Sequence, residues 1–308
     1  MSQVESKKSL PDGVWGATLT PFTKDGKIYA DGLKAMMEYQ IENGLDAFFI
    51  GGSTGEGMIM PMEQRMELTE LVMDYNKGRI PVIVHVGSAD TATAVKLSEH
   101  AKKHGADGVC SVIPYYYSMT KDYVREYYKA IAQTAELPVL IYYSPTSSSF
   151  RLSLDFLYEM MQVEHIEGVK YTESNMEEFR KIKDYHDGEI KAYIGFDAML
   201  LNALTMGANG GIGAWYNVMT KACCQGVYDN YRAGDFDAAR EMQWKVNHYM
   251  AIIKKYVKGT NHAVAKSVLK AMGIDAGTVL PPILPMSPLD EQSMIEELKK
   301  EGFFEFVR

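Results

Sequence analysis

The sequence predicts an α/β fold, a closed (β/α)8 (TIM) barrel followed by a C-terminal helical extension. Three observations carry this. Strand-sized apolar runs alternate with helix-sized amphipathic runs, the alternation repeats eight times, and no glycine-rich dinucleotide turn follows the first strand. Alternation implies a parallel sheet, because parallel neighbours need a crossover between them, usually a helix. Eight units in roughly 220 residues match the usual size of a closed barrel. An open doubly wound sheet is the rival, and it would more usually carry GxGxxG at that first turn. This chain has Thr18-Leu19-Thr20-Pro21-Phe22 there.

The units follow in order. Val14 to Thr20 leads to a helix over Ala30–Asn43, and Leu45 to Gly51 to one over Pro61–Lys77. Ile80 to Val86 leads to Ala89–His104, and Gly108 to Ile113 to Lys121–Thr134. Pro138 to Tyr143 leads to Ser153–Val163, and Ile166 to Lys170 to Met176–Tyr185, with Tyr171-Thr172-Glu173-Ser174 opening that helix. Ile190 to Gly195 leads to Ala198–Thr205, and Gly210 to Ala214 to Val218–Ala233. Beyond them, Phe236–Val257, Ala263–Met272 and Leu289–Lys300 keep helical periodicity, with Pro281 to Pro285 as an extended connector. The expected organisation is a flexible N-terminus over 1–12, a barrel over 13–233 and a helical extension over 234–308 packed on it.

Composition narrows the function. With 46% hydrophobic and 23% charged residues the chain is globular. Its formal charge of −8, with no basic run, gives no support to nucleic-acid binding. Cys110, Cys223 and Cys224 cannot build a disulfide framework, and the polar Met1–Pro11 lacks a signal peptide's apolar core. No apolar run approaches the ~18 residues of a membrane span. A cytoplasmic protein with no membrane partner is expected.

In such a barrel, strand C-termini converge on one mouth. Lys170 closes the sixth strand. A lysine pointing inward there is costly to keep as a desolvated ammonium, which favours the neutral, nucleophilic amine of Schiff-base chemistry; one that snorkels to water does nothing of the kind. Tyr142 precedes Lys170 by 28 residues, one β/α unit, so the two stand at matching heights on neighbouring strands. A phenol there can shuttle protons if hydroxyl neighbours hold it. Gly51-Gly52-Ser53-Thr54-Gly55-Glu56 follows the second strand. It is either a tight turn or a cradle of N–H and hydroxyl donors for a small carboxylate. Tyr115, Tyr116 and Tyr117 follow the fourth strand as an aromatic gate or a subunit contact. Thr172, Gly195 and Asp197 end the sixth and seventh. The glycines from Gly207 to Gly213 lack a nearby Arg or Lys for phosphate and make room for a bulky substrate instead.

Other chemistries find little support. The seven histidines are scattered. His100 and His104 are spaced i, i+4 on a surface helix without the HExxH glutamate, and His85 reads as a satisfied core residue. Cys223-Cys224 lacks metal-ligand spacing, and no GxSxG elbow occurs. No metal and no dissociable cofactor are expected.

Taken together, Gly51-Gly52-Ser53-Thr54-Gly55-Glu56, Tyr142 before Pro145, Gly168-Val169-Lys170-Tyr171-Thr172 and Gly207 through Asn217 resemble the N-acetylneuraminate lyase and dihydrodipicolinate synthase superfamily of pyruvate-dependent class I aldolases. The resemblance implies that Lys170 forms a Schiff base with pyruvate or a 2-keto acid. It implies that Ser53 and Thr54 hold the carboxylate, with the Ile212 backbone closing the pocket, and that Tyr142 shuttles the proton. Tyr116 matches a tyrosine that reaches a neighbouring subunit's site, which implies a homotetramer. Thr172, Gly195 and Asp197 fall at substrate-binding positions. The GSTGE loop and the Lys170-x-Thr172 spacing resemble the lyase branch, which converts sialic acid to pyruvate and N-acetylmannosamine. Another 2-keto-3-deoxy acid aldolase, a synthase-like condensation, or a catalytically silent binding barrel are the alternatives. Ser147 stands where the synthase branch carries arginine. Ala198 and Ala214 stand where the lyase branch carries a glutamate and a serine that grip sugar hydroxyls. Each missing hydrogen bond is worth about 1 kcal/mol or more if buried, and Trp215 is expected to add apolar bulk beside them.

Overall fold

A computed structural model describes residues 9–148 and 150–308. Eight parallel strands close in sequence order, β1 to β8, with β1 pairing β8. They are β1 Gly13–Ala17, β2 Ala47–Ile50, β3 Val82–His85, β4 Gly108–Val112, β5 Val139–Tyr143, β6 Ile166–Tyr171, β7 Lys191–Ile194 and β8 Gly210–Gly213. The outer helices are α1 Ala30–Glu42, α2 Met62–Asn76, α3 Thr91–Lys103, α4 Lys121–Ala135, α5 Leu154–Met160, α6 Met176–Asp184, α7 Leu200–Thr205 and α8 Asn230–Ala233. Then come α9 Phe236–Lys254, α10 His262–Ala271, α11 Pro288–Lys300 and α12 Phe303–Phe306. No helix among the described residues is long and apolar enough to cross a membrane.

Side chains of each strand alternate between two cores, as the two-residue period of a strand requires. Trp15, Ala17, Phe49, Ile83, Cys110, Val112, Leu140, Tyr142, Tyr193 and Ile212 fill the barrel, and Leu10 joins them. Val14, Phe48, Ile50, Val84, Ile141, Val169 and Ile194 face the helices. That outer layer continues into the C-terminal helices through Val264, Leu269, Met294, Leu298 and Phe303. Capping marks where helices begin. Asp90, Thr120, Ser153, Asn175, Asp235 and Ser287 each accept an N–H of the following helix's first turn, Ser287 just before Pro288.

Several expectations are corrected. Residues 1–8 of the expected flexible stretch lie outside the described residues, but Leu10 is buried and its N–H donates to Glu167 at 3.2 Å. Tyr171 to Ser174 do not open a helix. Tyr171 still pairs with Ile194 in the sheet, and Asn175 caps α6. The helix expected over Val218–Ala233 is not one α-helix. A 3-10 turn at Trp215–Asn217 precedes it, a π-helix over Ala222–Asp229 takes its middle, and the short α8 ends it. Gly226 of the π-helix lies so close to α9 that a β-carbon there would stand 2.4 Å from Met242 Cγ. Helix seven begins as a 3-10 turn at Asp197–Met199, and Pro281–Ile283 turns rather than running extended.

Asn217, fully buried, fastens the barrel seam. Its Nδ2 donates to Ala17 O and Ala214 O, both at 2.7 Å, and its Oδ1 accepts Leu19 N–H and Gln40 Nε2. One side chain thereby joins β1, α1 and the turn after β8 just below the mouth.

Candidate active site at the barrel mouth

Lys170 is the fifth of six residues in β6 and its side chain points inward, with the residue 4% exposed. Tyr142 is its direct register partner on β5, so the expected matching heights hold. The Lys170 Nζ lies 4.1 Å from the centre of the Tyr142 ring and 4.5 Å from that of Phe49. Among the described residues the amine makes no hydrogen bond or ion pair, and the two rings are its neighbours. His85 completes the enclosure, its ring about 6 Å from both aromatic rings at steep angles. His85 Nε2 accepts the Val112 N–H, and burial, with the positive charges of Arg65 and Lys170, holds the ring neutral. Arg65 in turn donates to the carbonyls of His85 and Gly87 from α2, and burial pushes its guanidinium down to about 10.

The Gly51–Glu56 segment forms a tight loop over this cluster. Gly52 rests on the Phe49 ring so closely that a β-carbon would stand 2.4 Å from it. Gly57, not singled out by sequence, passes under Gly51, whose carbonyl oxygen would be 1.8 Å from a β-carbon. Ser53 is exposed and Thr54 half-buried at the rim. Glu56, in the left-handed region at φ 61°, turns away from the mouth and ends in a buried ion pair. Its Oε1 lies 2.6 Å from Lys266 Nζ, with the two side chains 0% and 3% exposed. Lys266 also donates to Thr20 O and Thr278 O, and Glu56 Oε2 accepts Leu280 N–H. Burial lowers Lys266 to about 8 against the pull of Glu56. One turn earlier on α10, His262 Nε2 donates to Ser53 O at 2.7 Å. Helix α10 therefore holds the loop at two points, Ser53 and Glu56.

Across the mouth, Thr172 Oγ1 is buried with no hydrogen-bond partner among the described residues, and a β-carbon on Gly195 would stand 2.0 Å from it. Asp197 is buried beside β8. Its Oδ1 accepts the Trp215 N–H at 2.7 Å. Burial raises its carboxyl to about 6, opposed by that bond and by the Lys170 charge. Beyond the inner wall, a β-carbon on Gly213 would meet Asp197 Oδ1 at 2.2 Å, and one on Gly211 would meet the Tyr216 hydroxyl at 2.6 Å. The β8 glycines thus admit the protein's own side chains, which corrects the reading of room for a bulky substrate. Trp215 is corrected too. Its ring is buried in the outer, helix-facing core and adds no bulk to the mouth. Nor do hydroxyl neighbours hold Tyr142. Among the described residues nothing hydrogen-bonds its hydroxyl, and the hydroxyls of the following loop bond one another, Ser147 to Ser144 and Ser144 to Thr146. Ser149 lies outside the described residues.

Tyr116 does not join the cluster within one chain. It is 90% exposed with φ 81°, its ring edge-on to Tyr117, while Tyr115 packs against the barrel interior. Sequence reasoning missed Phe49, His262 and Lys266. Phe49 was one apolar residue in an apolar strand, and α10 lies more than 200 residues from the loop it holds.

A barrel whose inward lysine faces a tyrosine in register has the frame of a Schiff-base lyase. The Dihydrodipicolinate synthetase family profile matches residues 10–301, and the chain belongs to that family. The N-acetylneuraminate lyase of Escherichia coli (strain SMS-3-5 / SECEC) is 31% identical over 287 residues, 92% of this chain and 94% of that protein. Among solved structures, CdNal from Clostridium difficile in complex with mannosamine aligns at TM-score 0.89 and 26% identity, covering 95% of this chain and 99% of that one. The dihydrodipicolinate synthase from Aquifex aeolicus aligns at 0.87 and 29%, covering 94% and 98%. The protein is a pyruvate-dependent lyase, an aldolase of the N-acetylneuraminate lyase and dihydrodipicolinate synthase type.

Proposed function

We propose that Lys170 is the Schiff-base residue and that the protein cleaves a 2-keto acid to pyruvate and an aldehyde, most like N-acetylneuraminate lyase. The observation that carries this reading is the Lys170 amine, buried between the Phe49 and Tyr142 rings with no hydrogen-bond partner among the described residues. The neutral amine adds to the C2 carbonyl, and water leaves with a proton given by the Tyr142 hydroxyl, so that an iminium and a phenoxide remain. As the C3–C4 bond breaks, its electron pair moves into the iminium to form an enamine, and the C4 hydroxyl gives its proton to the Tyr142 phenoxide while the aldehyde departs. Tyr142 then returns that proton to C3, and the water that hydrolyses the iminium gives up a proton to the phenoxide, releasing pyruvate and the free amine. Ser53 and Thr54 at the loop tip receive the carboxylate, assisted by the Ile212 backbone, and Thr172, Gly195 and Asp197 line the aldehyde side. No metal takes part in these steps.

Ala198 and Ala214 offer no side-chain hydrogen bond to a polyol, and Ser147 offers no cation to a second carboxylate. The similarity to sialic acid lyases therefore supports the reading more than the sugar-side residues do. The test is a panel of 2-keto acids assayed for pyruvate release. Turnover of N-acetylneuraminate supports the lyase reading; an inert N-acetylneuraminate beside cleaved shorter 2-keto-3-deoxy acids would replace it with the alternative aldolase. We also infer a homotetramer in the cytoplasm, supported by the solvent-facing Tyr116–Tyr117 pair. Sedimentation of wild type and Tyr116→Ala tests the assembly.

A further inference from the structure

Outside the mouth, one cluster on the outer helices has the donor set and spacing of a metal site. His100 and His104 stand one turn apart at the C-terminal end of α3, and Glu70 reaches them from α2. The Glu70 Oε1 lies 2.9 Å from His100 Nε2 and 3.7 Å from His104 Nε2. One ligand atom from each of the three lies within 4.8 Å of the other two. The imidazoles stack at 4.3 Å with 25° between their planes, so both Nε2 atoms approach the same carboxylate oxygen. Zinc bonds of about 2.0–2.1 Å in a tetrahedral shell put donor atoms roughly 3.3 Å apart. The two observed separations bracket that value, so an ion could enter by small rotamer adjustments.

We propose that Glu70, His100 and His104 bind a divalent transition metal, zinc or copper rather than calcium or magnesium, and that the ion clips α2 to α3. Two imidazoles and one carboxylate suit borderline ions, whereas calcium and magnesium call for oxygen ligands. The site's charge with neutral imidazoles is −1, and the half-exposed Glu70 leaves a side open for water as fourth ligand. The His100 and His104 side chains are 14% and 29% exposed, so much of their rotamer freedom is already spent. Each ring binds through Nε2 with its one remaining proton on Nδ1; a neutral ring reaches this by tautomerisation, and an imidazolium by losing its Nε2 proton to solvent. Lys103, whose charge acts on Glu70, opposes the ion and keeps the affinity below that of four-ligand structural sites. The i, i+4 histidine pair was visible in the sequence; its third ligand arrives only through helix packing.

The test uses the full chain freed of metal with a chelator and titrated with zinc by calorimetry and with cobalt by visible absorption. One equivalent per chain, a tetrahedral cobalt band and a zinc-dependent rise in Tm are expected. His100→Ala, His104→Ala and Glu70→Gln should each weaken binding at least tenfold, while His248→Ala, on α9, leaves it unchanged. No saturable binding, undiminished binding in the His100→Ala/His104→Ala double variant, or equal affinity for calcium would each overturn the proposal.

Discussion

Lys266→Met asks whether α10 holds the loop that carries Ser53 and Thr54. The substitution keeps most of the side-chain volume and removes the ammonium. It leaves the wholly buried Glu56 carboxylate with the Leu280 N–H, at 2.7 Å, and strips a donor from Thr20 O and Thr278 O. Breaking a buried pair by removing one partner costs about 3–5 kcal/mol, against a total stability of about 5–15 kcal/mol for a folded domain. At roughly 2–4 °C per kcal/mol for a large domain, Tm should fall by about 6–20 °C. Glu56→Gln added to Lys266→Met should recover at least ~1 kcal/mol, because a neutral amide tolerates burial better than an unpaired carboxylate. Since the pair anchors the loop and not the amine, KM for the keto acid should rise severalfold with a smaller change in kcat. Thermal scans and steady-state pyruvate release measure both. A Tm within ~2 °C of wild type together with an unchanged KM would refute the argument.

Three other outcomes follow from the site and the barrel base. Tyr142→Phe should lower kcat at least ~100-fold, the scale of proton-transfer catalysis, while still forming a pyruvate adduct at reduced rate; wild-type turnover would remove Tyr142 from the mechanism. Gly213→Ala should push Asp197 off the Trp215 N–H, because its β-carbon would stand 2.2 Å from Asp197 Oδ1. A drop in kcat/KM of at least ~10-fold, about 1.4 kcal/mol, is expected, and kinetics like wild type would count against Asp197's placement. Asp46 sits at the barrel's N-terminal end, where burial, opposed by the Val14 N–H and reinforced by Asp229, raises its carboxyl to about 6. The folded state then keeps its proton to higher pH than the unfolded state, so this contribution is full below about pH 4 and lost as pH rises through 6. With Asp46 half-buried, Asp46→Asn should gain about 1–2 kcal/mol on wild type between pH 4 and pH 7. Urea unfolding at several pH values checks this, and a gap that does not change with pH would contradict it.

The barrel was legible because each strand is a short apolar run, bounded by turn residues, that both cores require. The Lys170–Tyr142 pairing was legible because one β/α unit separates them and parallel strands keep register. Short-range geometry was harder to read. A 3-10 turn precedes what periodicity marks as one helix, and a π-helix occupies its middle. The direction of Trp215 depended on that turn. Glycine's role at 211 and 213 was visible as small size, but the neighbour that uses the space was not. Glu56 belonged to a recognisable loop, yet its partner Lys266 is set by how the C-terminal helices fold back over the barrel. Phe49 drew no notice because only its contact with the Lys170 amine distinguishes it from the other core aromatics.

The central claim is that Lys170 carries the covalent chemistry. Incubating the protein with pyruvate and borohydride, then measuring intact mass and mapping the modified peptide, tests it most directly. One reduced pyruvate per chain on the peptide containing Lys170, absent from Lys170→Ala, is the outcome the geometry predicts. No adduct on wild type, or an adduct that persists in Lys170→Ala, would contradict it.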